Sequence, residues 1–280
     1  MYSSLEIEKK IRALSVIEDI VNAMKAYASA AIRKTEEVVP NIREYEQNLL
    51  SALHDITVHF PGVAYEKCPD RKRIIAAFGS SQGLCGPYNE KVAAAVAGIK
   101  TRNDILFVIG RRLKTAFDLK GISYEGYQDS VLSINGIQSA LQEMSKQIMN
   151  LYRRRECYTL TCIFASIAGK KEDISFIQVL PPGIHDLLSL KAALNPPLTY
   201  IAPDLIFAKT LKEFLYISLY RCYVESLKSE NWYRLRSMEG AAETIKEHAA
   251  ALDSLSKYVR QEEITGEVLE ILGSGMFYDK

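Results

Sequence analysis

Apolar residues recur in alternating steps of three and four at both ends of the chain, with polar residues filling the positions between. Towards the C-terminus the run is Leu235, Met238, Ala242, Ile245, Ala249, Leu252, Leu255 and Val259. Such steps keep one narrow stripe on one side of a helix. No proline lies between Asp204 and the last residue, so nothing there removes a backbone donor or forces a kink. Roughly Leu211 to Met276 therefore reads as a single helix of about 60 residues, about 90 Å long at 1.5 Å per residue. A rod with one thin apolar seam needs a partner helix. Off the seam stand Glu243, Lys246, Glu247, Asp253, Lys257 and Arg260, which suit water or a polar partner.

The first stretch supplies that partner. Ile7, Ile11, Leu14, Ile17, Val21, Met24, Ala28 and Ile32 repeat the alternation, with Ser3 and Ser4 before the run and Glu6 and Glu8 in its first turn, a helix-start pattern. Pro40 is expected to interrupt or kink the helix. The pattern resumes through Ile42, Tyr45, Leu49, Leu53 and Ile56 and stops near Phe60-Pro61-Gly62. The simplest architecture packs the two terminal helices as an antiparallel coiled coil, with a globular domain emerging between them. Small residues (Ala26, Ala28, Ser29, Ala30, Ala31) would allow close approach along part of the first helix.

The middle of the chain has a different rhythm. Arg73–Phe78 reads as a buried strand, Gly79–Gly86 as a glycine-rich turn, and Asn89–Ile99 as a helix with Pro87 near its start. Asp104–Ile109 reads as a second strand, Arg111–Asp118 as a helix, Ile122–Tyr127 as a third strand and Val131–Tyr152 as a helix. Tyr158–Ala165 and Ile174–Leu180 pair as a hairpin across a short polar connection. Strand–helix alternation implies a mostly parallel sheet with helices on both faces, a Rossmann-like α/β domain. The prolines from Pro181 to Pro203 mark a link back to the C-terminal helix. The expected division is 1–60 for the N-terminal coiled-coil helix, 70–200 for the central α/β domain and 205–280 for the C-terminal coiled-coil helix.

Composition narrows the chemistry. The 280 residues hold 35 basic and 34 acidic side chains, and so near a balance gives no field that would favour nucleic acid. Five cysteines without a CxxC spacing favour reduced thiols in a cytosolic compartment over a disulfide framework or zinc site. No apolar signal segment opens the chain, and no run of about 20 apolar residues could span a membrane. The turn Gly79-Ser-Ser-Gln-Gly-Leu-Cys-Gly86 lies where a phosphate cradle would. It lacks the Gly-Lys-Ser/Thr ending of a nucleoside-triphosphate loop, and its glycine spacing is not the dinucleotide fingerprint. It reads instead as a tight crossover whose glycines take positive φ. Cys85 beside a helix start could be an activated nucleophile, or a buried small apolar thiol. The four histidines are scattered. No catalytic, cofactor or metal site can be placed.

Three blocks carry a resemblance to a known family. Ile20-Val-Asn-Ala-Met24, followed by Ala26, Ala28, Ala30 and Arg33-Lys34, is similar to the ITKAM helix of the gamma subunits of F-type ATP synthases. Ser81-Gln-Gly-Leu-Cys-Gly86 with Asn89 resembles that family's SDRGLCG turn. Val224–Glu230, Arg234, Met238-Glu239, Arg260-Gln261, Ile264-Thr265, Glu267–Glu270 and Ile271-Leu-Gly273 resemble its C-terminal helix. The blocks occur in order over nearly the full length. The resemblance implies a rotor shaft coupling proton or sodium flow to ATP synthesis or hydrolysis on other subunits, with no cofactor of its own. It implies one such chain per three alpha and three beta subunits, with the epsilon subunit and membrane c-ring at the foot. It also implies a peripheral place on the cytoplasmic face of a bacterial or archaeal cell membrane. Met24, Arg234, Gln261 and Thr265 match family positions that contact beta subunits or support coupling. The terminal Ile271–Phe277 would be the apolar tip of the shaft.

The chain also departs from the family's pattern. Asn22 stands for a lysine, Tyr27 and Ser29 alter the small-residue run, Ser81 and Gln82 stand for Asp and Arg, and Lys257-Tyr-Val replaces an asparagine-containing approach. Trp232 and Tyr233 stand where the family has small residues. These departures leave open a main synthase subunit or an alternative-ATPase paralogue. A non-rotary coiled-coil adaptor with a ligand- or partner-binding α/β domain is the other reading. An enzyme with helical extensions, a third, would hold its ligand at the strand carboxyl ends near Ser80 to Gly86.

Overall fold

A computed structural model describes residues 4–63, 73–155, 159–168, 171–183 and 195–275. Ser3, Cys68, Cys157, His185, the middle of the proline-rich link and the tip beyond residue 275 lie outside these. The chain divides into two units, Met1–Ala28 with Leu235–Lys280, and Ser29–Arg234. In chain order the elements are α1 (Ser4–His59), β1 (Arg73–Phe78), α2 (Tyr88–Ile99), β2 (Ile105–Ile109), α3 (Arg111–Leu119), β3 (Gly126–Gln128), α4 (Ile137–Arg155), β4 (Thr159–Ala168), β5 (Lys171–Leu180) and α5 (Pro203–Gly275).

The larger unit is built on a five-stranded sheet in the order β3-β2-β1-β4-β5. β1 pairs in parallel with β2 and β4, β2 pairs in parallel with β3, and only the β4–β5 pair is antiparallel. Both faces are covered, which is why β1 and β2 are near-continuous apolar runs rather than alternating. Ile74, Phe78, Phe107 and Phe164 face α4 and residues 215–227 of α5, joined by Ile42 of α1. Ile75, Ala77, Leu106 and Val108 face α2 and α3.

Several expected boundaries move, each for a local reason. The third strand begins at Gly126 rather than Ile122. The Ile122 amide is spent on the Phe117 carbonyl closing α3, and pairing with β2 starts only where the Glu125 amide reaches the Leu106 carbonyl. The helix expected from Val131 starts at Ile137 after a 3₁₀ turn, Ile134–Gly136, and the Val131 amide donates instead to the Tyr223 hydroxyl at 2.9 Å. α5 starts at Pro203, eight residues before the apolar run reveals it; proline at a helix start loses no intrahelical bond. Pro40 does not end α1, which continues through it to His59.

Within this unit residues 29–59 of α1 run antiparallel to residues 203–234 of α5. Leu53 and Ile56 pack with Phe207 and Phe214. Further along, Glu46 meets Ser218 and Arg221, Arg43 meets Glu225, and Glu36 meets Lys228. The partner numbers fall as α1 numbers rise. The seam is not quite the expected one: Tyr45 is 44 % exposed, and the neighbouring Glu46 is buried in its place.

The smaller unit repeats the antiparallel arrangement. Val21 packs with Met238 and Ala242, flanked by Met24, Ala241 and Ile245, and the Ser4 amide donates to Glu263 at 3.4 Å. Ile7 and Ala28 are fully buried here. Ile17, expected on the seam, is 46 % exposed and joins Val16 and Ile20 on the outer surface.

Candidate functional site

The glycine-rich turn leaves β1 at the carboxyl edge of the sheet, where an α/β fold would hold a ligand. Gly79 is required by proximity: a Cβ there would lie 2.3 Å from the Leu113 Cβ. Gly110, at the end of β2, has φ 104° and presses on the Gly79 backbone. Of the turn's own glycines only Gly86 takes positive φ (53°); the other left-handed residue is Leu84, at 63°, so the expectation that the glycines supply the positive φ holds only in part. Gly83 instead makes room for the Arg112 guanidinium, 3.3 Å from where its Cβ would be.

Asn89 ties the turn down. Its amide nitrogen donates to the Ser80 hydroxyl at 2.9 Å, and its oxygen accepts from the Ser80 amide at 2.9 Å. Cys85 is buried 3.3 Å from the Ser80 hydroxyl. Burial pushes its thiol above the usual range, against a smaller opposing pull from Ser80. That keeps it a thiol at neutral pH, the opposite of an activated nucleophile.

The space at the strand carboxyl ends is filled by α5. The Tyr223 ring packs edge-on against Phe78 at 5.5 Å, and its hydroxyl takes the Val131 amide. Tyr88, at the start of α2, is 2.7 Å from the Ser226 hydroxyl. A cleft of about 450 Å³ remains beside the turn itself, lined by residues 83–86, the first turn of α2 and α3. Among the described residues no three His, Cys, Asp or Glu side chains group as a metal site.

The residues singled out by resemblance fall into two groups. In the smaller unit Met24 is half-buried beside Val21, Met238 and Ala242. Gln261 and Thr265 are exposed, one helical turn apart, and the Thr265 hydroxyl donates to the Gln261 carbonyl at 2.7 Å. Around them α5 presents Tyr258, Ile264, Val268, Leu269 and Leu272 to the outside, a broader exposed apolar surface than a solvated helix needs. In the larger unit Arg234 is only 2 % exposed. Its Nη2 lies 2.5 Å from Glu230, its Nη1 donates to Asn231 at 3.0 Å, and its Nε has no hydrogen-bond partner among the described residues. Burial raises the Glu230 carboxyl even though Arg234 pulls it down.

A profile of the family described as "ATP synthase" matches residues 3–276. The chain belongs to the ATP synthase gamma-subunit family. It is 27 % identical to the ATP synthase gamma chain of Malacoplasma penetrans, with 97 % of this chain and 98 % of that one covered. To the gamma chain of Heliobacterium modesticaldum it is 25 % identical, with 96 % of each covered. Among solved structures it is similar in fold to a chain of the Euglena gracilis mitochondrial ATP synthase, with TM-score 0.65, 14 % identity and 98 % and 93 % of the two chains covered. A chain of the Tetrahymena thermophila mitochondrial ATP synthase central stalk gives TM-score 0.57 and 15 % identity over 79 % of this chain and 99 % of that one.

Against the gamma-subunit pattern, the departures have visible consequences. Ser81, standing for the expected acid, donates to Asp129 at 3.1 Å and accepts from the Ser130 amide at 2.7 Å. The turn is thus linked to the end of β3 by a hydroxyl and a carboxylate on a different element. Tyr233, standing for a small residue, is buried among Tyr88, Trp232 and Lys91. Two features of this gamma-subunit chain escape sequence reasoning. Glu46 gives no sign of burial because its partners Ser218 and Arg221 are far along the chain. The Lys91–Glu172–Tyr233 cluster joins residues from three separate elements.

Proposed function

We propose that this chain is the central rotor shaft of an F-type ATP synthase, coupling proton or sodium flow through the membrane sector to ATP synthesis or hydrolysis on beta subunits. The observation that carries the reading is the full-length family match on a chain whose terminal helices pair antiparallel in each unit. An α/β sheet filled from within at its carboxyl edge supports a structural use of that domain over a ligand-binding one. In this reading one copy serves three alpha and three beta subunits, and the foot meets an epsilon subunit and the c-ring. The complex sits on the cytoplasmic face of the cell membrane. No described helix is long and apolar enough to cross a membrane, in keeping with a peripheral subunit.

The shaft works by differential contact: otherwise equivalent subunits meet different surfaces of it, and each one's conformational equilibrium shifts by the difference in contact free energy. Met24, Gln261 and Thr265 are assigned to beta-subunit contact. Arg234, enclosed in its own unit, supports coupling by stiffening α5, the helix that bears Gln261 and Thr265. Purification in mild detergent tests the reading. Recovery with alpha- and beta-type subunits, and loss of ion-coupled ATP turnover on Gln261→Ala with Thr265→Ala, is expected. Recovery with unrelated proteins would overturn it in favour of a coiled-coil adaptor.

A further inference from the structure

The geometry around Tyr233 points to a positioning role: we propose that Tyr233, held by Lys91 and Glu172, is the last anchor along α5 among the side chains that stop it from twisting within the α/β unit, and the one that first takes up torque passed between shaft and foot. The proposal rests on the rotor-shaft reading. Ser226, Glu230 and Tyr233 follow at spacings of four and three, so they share one stripe of α5. That stripe meets the start of α2. Ser226 lies 2.7 Å from the Tyr88 hydroxyl, and the Tyr233 ring packs at 5.5 Å on the Tyr88 ring. The Tyr233 hydroxyl donates to Glu172 of β5 at 3.0 Å. Lys91 of α2 pairs with the same Glu172 oxygen, donates to the Tyr233 hydroxyl at 3.2 Å and sits 5.1 Å above its ring.

One side chain of α5 is thus tied to a helix and to a strand. Apolar burial is non-directional and lets a helix turn by small repacking. Hydrogen bonds weaken steeply off-axis, so a side chain held at its tip resists rotation of the helix about its own axis. Glu230, Asn231 and Arg234 do not serve this purpose, because their bonds run along α5 itself. The position also fits. The larger unit ends at Arg234 and the next residue belongs to the other unit, so torsion along α5 enters beside Tyr233, which, unlike Arg234, is bonded to other elements.

Hydrogen exchange on the isolated full-length chain tests the anchor. Tyr233→Ala should speed amide exchange across residues 226–240 by about tenfold or more, as local opening becomes easier, while the helical circular-dichroism signal is retained. Tyr233→Phe, which keeps the ring, should fall between. Unchanged exchange in both variants would overturn the anchor. If Tyr233→Ala fails to fold, Tyr233→Phe and Lys91→Ala decide. In the assembled complex, a bead on the rotor should show wider angular fluctuation at rest with Tyr233→Phe and Lys91→Ala, and near-normal fluctuation with Lys91→Arg. Equal fluctuation in all of them would overturn the torque role. A wild-type chain that does not assemble with catalytic subunits would remove the rotor-shaft reading, and the exchange result would still decide the anchor.

Discussion

Glu46 of α1 and Arg221 of α5 face each other at 2.8 Å, and the second oxygen of Glu46 accepts from the Ser218 hydroxyl at 2.5 Å. The carboxylate occupies a seam position where periodicity alone would put an apolar residue. Its burial is tolerated because both oxygens have partners. Removing one partner should therefore cost more than removing both.

Arg221→Ala should destabilise the chain by about 3 kcal/mol, the usual cost of leaving a buried charge unpaired. Glu46→Leu combined with Arg221→Leu should cost less than Arg221→Ala alone. Urea titrations of the variants check this, and a double substitution as costly as the single one would contradict it.

Gly126 opens β3 where a Cβ would sit 2.2 Å from the Phe107 ring. Phe107 is fully buried and has nowhere to go. Gly126→Ala should cost about 1–3 kcal/mol, as overpacking does. Adding Phe107→Leu should return part of the loss, measured as the melting temperatures of the single and double variants.

Tyr127 and Asp129 form a pH-sensitive pair at the same edge. Their hydroxyl–carboxylate bond is 2.6 Å long. Burial, and then Asp129, push the Tyr127 hydroxyl up to about 12. Its contribution is present below the unfolded value of about 10 and is lost as pH rises from there through about 12. Asp129 is lowered, first by the Tyr127 bond, so its contribution is present above about 3.9 and is lost as pH falls below that value. Tyr127→Phe should flatten both limbs in a pH series of denaturant midpoints.

Arg234→Ala should leave Glu230 buried without its cation, at about 3–5 kcal/mol. Burial already raises Glu230, so in the variant the carboxyl should be raised further. Stability should then be best below the unfolded value of about 4.3 and decline as pH rises through the raised one. Arg234→Ala with Glu230→Gln should remove most of that pH dependence, read from thermal melts across the acid range.

Much of the architecture was legible because long-period apolar stripes and short buried runs are local signals. β1, β2, α2 and the β4–β5 hairpin lie close to where Arg73–Phe78, Asp104–Ile109, Asn89–Ile99 and the polar connection put them. What stayed hidden depends on partners distant in sequence. Nothing near Glu46 announces Arg221. Nothing near Ile122 shows that its amide is taken by Phe117, and Val131 gives no hint that Tyr223 ends the run before α4. Arg234 reads as an exposed helix arginine until Glu230 and Asn231 are seen to enclose it with the rest of the larger unit. Gln261 and Thr265 stand out only through family resemblance, since exposed polar residues on a helix carry no pattern of their own.

The filling of the sheet by residues 215–227 has a consequence for biogenesis. One face of the sheet, bearing Ile74, Phe78, Phe107 and Phe164, is closed largely by a segment that leaves the ribosome after every strand has been made. At about 5–20 residues per second, the strands wait several seconds with that face half-covered by α4. The nascent α/β domain is then an adhesive intermediate, and a chain cut short before Leu215 should aggregate rather than fold as a free domain.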